Sequence, residues 1–114
     1  MNLMAKPTDT PELAAAKLRV LALDEAARTA RRLWEQADKA EARARFDLIV
    51  LAHGLKEGNV YTDGKNIGIL IARDDNPYAA LHAYMKNGEL SKREFLVHYP
   101  ETLKPASPPA VVPA

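Results

Sequence analysis

The sequence predicts an α+β domain that is mainly α. Three observations carry this: a stretch from Glu12 to His53 without glycine or proline, an apolar alternation around Asp63-Gly64, and capping patterns at Asn76-Pro77 and at Ser91 with Glu94. Together they predict a long N-terminal amphipathic helix, a two-stranded β-hairpin, two short C-terminal helices and a disordered Pro-rich tail. The expected layout is a flexible N-terminus over 1–10, one α+β domain over 11–100, and a Pro/Ala-rich tail over 101–114.

The long helix is expected over 11–53. Thr10 offers a capping hydroxyl, Pro11 suits the first helical position and Glu12 places an acid in the first turn. The segment is filled with Ala, Leu, Arg, Glu and Lys, all strong helix formers, until Gly54 supplies a left-handed cap that lets Leu55 fold back on Val50. Written in sevens, its seam is Leu13, Ala16, Val20, Leu23, Ala27, Ala30, Trp34, Ala37, Glu41, Ala44, Leu48 and Leu51, apolar at every position but Glu41. Charges follow four apart, as Asp24 with Arg28, Glu35 with Lys39 and Glu41 with Arg45, which reads as a solvated face.

The hairpin is expected over 60–72. Val60-Tyr61-Thr62, then Asp63-Gly64, then a strand carrying Ile67, Ile69 and Ile71 on one side, reads as two strands joined by a two-residue turn. That turn puts Val60 opposite Ile67. A lone hairpin is marginal in water, so its isoleucines are expected to cover the helix near Leu48 and Leu51. Asn76 before Pro77 marks the start of a helix over 77–86 with Tyr78, Leu81, Tyr84 and Met85 on its apolar face. Ser91 with Glu94 forms a capping box for a helix over 92–98, against a competing strand reading in which Phe95, Val97 and Tyr99 alternate.

Composition narrows the function. The chain has no cysteine, which removes disulfides, thiolate metal sites and thiol nucleophiles. Sixteen Lys and Arg stand against fifteen Asp and Glu, so no global field draws nucleic acid or anionic lipid. No apolar run is long enough for a membrane span or a secretion signal, so a cytoplasmic protein with no membrane partner is expected. His53, His82 and His98 have no second ligand at metal spacing, and no Gly-x-Ser-x-Gly or phosphate-binding glycine loop is present. The expectation is no enzyme, no cofactor and no metal. Asn87 to Phe95 resembles the second half of an EF-hand calcium loop. The first and third ligand positions, however, fall on Ala83 and Met85, which lack side-chain oxygens.

A 42-residue helix spans about 63 Å, whereas a compact chain of this length has a radius of gyration of about 13 Å. Either the helix breaks near Asp24 or its seam is covered by another molecule. The intact pattern favours a non-enzymatic interaction module, an adaptor, regulator or inhibitor. It would form a homodimer or dock on a protein partner through Leu13, Val20, Leu23, Ala27, Ala30, Trp34 and Ala37. The alternative is a small dimeric nucleic-acid-binding regulator with a degenerate helix-turn-helix over 77–98, in which Lys92 and Arg93 open the second helix.

Overall fold

One long helix and a five-stranded antiparallel sheet make up the computed structural model, which describes residues 3–111. The elements are α1 (Pro11–Ala52), β1 (Val60–Thr62), β2 (Ile67–Ala72), β3 (Ala79–Tyr84), β4 (Leu90–Leu96), a 3-10 turn (Pro100–Thr102) and β5 (Lys104–Pro105). Two compact units divide the chain, Met1–Ala37 and Asp38–Ala114.

The helix starts and stops where its sequence says. The Leu13 amide donates to Thr10 Oγ1 at 3.2 Å, so Thr10 caps the first turn. Gly54 adopts φ 64°, and the Leu55 amide donates to the Val50 carbonyl at 2.8 Å, the long bond of a Schellman end. Asp24 marks no break, because it lies within α1 and accepts from Arg28 at 2.7 Å. Arg45 pairs with Glu41 at 2.9 Å, also as expected; Glu35 and Lys39 are not within ion-pair distance.

The C-terminal half of the fold is a correction. Instead of a hairpin followed by two helices, the chain forms a meander ordered β4-β3-β2-β1-β5. Residues 77–86, expected to be helical, contain β3, and residues 92–98 fall mostly in β4. The reason is tertiary. Ala79, Ala80, Leu81 and Ala83 are all buried in consecutive or alternating positions of a central strand, and such burial outweighs the helix propensity of Ala and Leu. Asn76-Pro77, a cis peptide, belongs to the turn between β2 and β3 rather than to a helix cap. Ser91 does not cap a helix: its hydroxyl donates to the Ala83 carbonyl at 2.8 Å and accepts from the Arg93 amide at 3.0 Å. It bridges the irregularity where β3 and β4 lose register.

The β1–β2 turn is also longer than expected. Thr62, not Val60, lies opposite Ile67, and Val60 pairs with Ile69. Asp63 Oδ1 accepts from the amides of Lys65 and Asn66 at 2.9 and 2.7 Å, which stabilises a wider loop than the two-residue turn. The expected tail over 101–114 is partly structured. Leu103 is buried, Lys104 and Pro105 pair with Thr62 and Tyr61, and the backbone of Pro109 and Ala110 lies against Gly88. Pro105 is tolerated because β5 is an edge strand. Residues 112–114, and residues 1–2 of the expected flexible N-terminus, lie outside the described residues.

The core belongs to the unit Asp38–Ala114. Phe46 from α1 inserts among Tyr61, Leu70, Ala79, Leu81, Val97 and Leu103, with Val50, Leu55, Ala72 and Tyr78 at its margin. Leu70 and Leu81 are register partners, so they present one apolar surface to the helix. The isoleucines Ile67, Ile69 and Ile71 alternate with Leu70 and are half-buried on the other side of the sheet. The sheet therefore does not cover Leu48 and Leu51, which are exposed, but Phe46. Arg43 holds the loop after α1 by a bidentate pair with Glu57 at 2.8 and 2.9 Å, and the Lys56 amide donates to Tyr61 Oη at 2.8 Å.

Candidate interaction surface

The unit Met1–Ala37 has no apolar core of its own among its described residues. What it hides is an ion pair: the side chains of Lys17 and Asp9 keep only 9% and 7% of their surface, with Lys17 Nζ donating to Asp9 Oδ2 at 2.8 Å and to the Met4 carbonyl at 3.3 Å. Asp9 also accepts from the Lys6 amide at 2.8 Å, which closes a turn with the Asp9 amide donating back to the Lys6 carbonyl. The Lys17 ammonium, then the Lys6 amide, hold the Asp9 carboxyl below the usual aspartate range. The segment before α1 thus has a hydrogen-bonded anchor on the helix, a feature without a periodic signature in the sequence.

Every residue singled out for interaction faces solvent. Leu13, Val20 and Leu23 are exposed, Ala27, Ala30 and Ala37 likewise, and Trp34, the single tryptophan, keeps 70% of its surface accessible. They recur three and four residues apart along α1, so they share one side of the helix. Leu18, Leu21 and Leu33, which lie off that seam, are exposed as well and widen the apolar surface. In the second unit, Leu48 and Leu51 are exposed on the part of α1 that buries Ala42 and Phe46 on its other side.

The two cations proposed for nucleic acid are placed differently from the expectation. Lys92 and Arg93 lie exposed on the edge strand β4, not at the start of a recognition helix, so no helix-turn-helix exists over 77–98. The histidines lie on different parts of the chain: His53 follows α1, His82 on β3 bonds the Ser91 carbonyl at 2.6 Å, and His98 lies beyond β4; among the described residues no group of His, Cys, Asp and Glu side chains could hold a metal ion.

No family, curated protein or solved structure matches the chain. Among the described residues, no helix is long and apolar enough to cross a membrane.

Proposed function

We propose that the chain is a non-enzymatic interaction module whose N-terminal helix associates with a second copy of itself through Leu13, Val20, Leu23, Ala27, Ala30, Trp34 and Ala37. The observation that carries this reading is exposure along one side of α1: Leu13, Val20, Leu23 and Trp34 keep 45, 48, 62 and 70% of their surface accessible, and Ala27, Ala30 and Ala37 are exposed with them. A helix whose apolar stripe meets its own copy buries the same residues twice. Alanines at 27, 30 and 37 let two helix backbones approach closely, and Trp34 among them has the size to anchor the contact.

Mass in solution, measured by light scattering from low to high micromolar concentration, tests the reading. Dimer is expected at the upper end, with the emission of Trp34 moving to shorter wavelength as the ring leaves water. Trp34→Ala should raise the dimer dissociation constant at least about tenfold, the consequence of losing an anchor worth about 2 kcal/mol. A chain that stays monomeric at several hundred micromolar, with unshifted Trp34 emission, refutes it.

A further inference from the structure

The two flanks of the α1 seam differ in charge. One step after Ala16, Leu23, Ala30, Ala37 and Ala44 stand Lys17, Asp24, Arg31, Asp38 and Arg45, seven apart and alternating in sign. One step before Val20, Ala27, Trp34, Glu41 and Leu48 stand Arg19, Ala26, Leu33, Ala40 and Asp47, apolar in the middle three. Residues that flank a seam in this way lie against the facing helix, and their charges select its direction. In the unit Met1–Ala37, Lys17 is taken up by Asp9, which leaves Asp24 and Arg31 as the charges of the first flank. Asp24 meets Arg28 through Oδ2 at 2.7 Å, and Arg31 is exposed, without an ion pair among the described residues. Arg19 and Arg32 lack one as well, but Arg32 lies two positions before Trp34, on the far side of the helix from the seam.

Parallel helices set one flank against the other. Asp24 would then face the partner's Arg19, but Arg31 would face the partner's Ala26 and gain nothing. Leu33, 61% exposed, would face the partner's Asp38, and Trp34 would meet its own copy. Antiparallel helices set each flank against itself. With Ala27 opposite the partner's Ala30, Asp24 meets the partner's Arg31 and, by symmetry, Arg31 meets the partner's Asp24. Leu33 then covers the partner's Ala26, and Trp34 packs on the partner's Leu23. A slide of one heptad sets Asp24 on Asp24 or Arg31 on Arg31. A slide of two either brings Glu41, the charged seam residue, against the partner's Ala30 or leaves Trp34 opposite the partner's Asp9, which precedes the helix.

We infer, resting on the self-association proposed above, that the second copy lies antiparallel on α1 with Ala27 opposite the partner's Ala30, its direction fixed by two Asp24–Arg31 pairs between the copies.

The chain has no cysteine of its own, so two single variants read the register. Val20→Cys and Ala37→Cys are oxidised separately and as an equimolar mixture after subunit exchange, at a concentration where light scattering gives dimer under reduction, and separated on a non-reducing gel. Only the mixture should yield cross-linked dimer. Residue 20 faces residue 37 of the other copy and lies about 25 Å along the axis from its own counterpart, whereas a disulfide spans roughly 7 Å between Cα atoms. Charge exchange gives a second readout that needs no cysteine. Arg31→Asp turns both unlike pairs into like ones and should raise the dimer dissociation constant about tenfold, and adding Asp24→Arg in the same chain should restore it to within about threefold. Arg32→Asp should leave it unchanged. Circular dichroism verifies that each variant keeps its helix. Cross-linking of either cysteine variant alone, no cross-link in a dimeric mixture, or unchanged affinity in Arg31→Asp overturns the antiparallel register and leaves self-association standing. A chain that stays monomeric at several hundred micromolar removes both.

Discussion

The units Met1–Ala37 and Asp38–Ala114 solve the problem of folding in opposite ways. In the second, a phenylalanine from the helix and side chains from the strands and the chain beyond β4 remove one another from water, and every buried apolar residue among those described lies at or after Ala42. In the first, leucines, a valine and the tryptophan remain outside, and what is hidden among the described residues is an ion pair, Lys17 with Asp9. A helix that buries no apolar stripe depends on propensity and capping, which are weak in water, or on another molecule. The contrast teaches that a continuous helix can have a C-terminal portion that is core and an N-terminal portion that is surface.

Cutting that helix gives the largest expected effect. A peptide of residues 1–37 should lose most of its helical circular dichroism on dilution, while residues 38–114 should keep a cooperative melt, because all of the apolar core lies on their side of the cut. Loss of the sheet in the longer piece would break the comparison. Next come two truncations on the same helix. Phe46→Ala, at a fully buried site, should cost about 3–5 kcal/mol in denaturant unfolding. Leu18→Ala, at a site 62% exposed, should stay within about 0.5 kcal/mol. Equal costs would mean that Leu18 has a cover the fold does not display. Smaller again is Gly68→Ala. A methyl there meets the His82 carbonyl oxygen at 2.7 Å and Leu81 Cβ at 3.0 Å, so β2 and β3 must move apart, at a cost of about 1–3 kcal/mol in the same unfolding curves.

The first unit was the more legible in sequence. Thr10, the absence of glycine and proline, and Gly54 are local signals, and local signals bound a helix. The meander was less so. Tyr78, Leu81, Tyr84 and Met85 fit helical spacing, while the burial of Ala80 comes from a strand whose register partners are Ile71 and Leu96, residues no local window contains. Ser91 with Glu94 satisfies a capping box on paper, yet the same hydroxyl serves an irregular strand pair. The alternation of Phe95 and Val97 was the truer signal. β5 is two residues long and contains Pro105, so it had no pattern to read. The same division holds for the sites. The apolar seam of α1 is written at fixed spacing, although its exposure is not. The anchor of Asp9 on Lys17 depends on a turn before α1 that no spacing marks.

The smallest effect belongs to the polar anchor of the first unit, and it has a definite sign. Lys17 and the Lys6 amide stabilise the ionised Asp9 carboxylate, so its folded pKa lies below the usual value of 3.8. Stability from this contact is fully present above the ordinary aspartate pKa and fades as pH falls through the lowered one. Nothing should therefore change between pH 5 and 8. Nearer pH 2, the Lys6 amide, which donates to Asp9 Oδ2, should lose its protection against hydrogen exchange once intrinsic rates are corrected. Asp9→Asn should show the same loss already at pH 7. The Leu70 amide, bonded to the Asn59 carbonyl at 2.9 Å within the sheet unit, should outlast it in both cases. If Lys6 stays protected in acid, the N-terminal turn is held by something other than its one charged pair, and the first unit is better packed than its exposed leucines indicate.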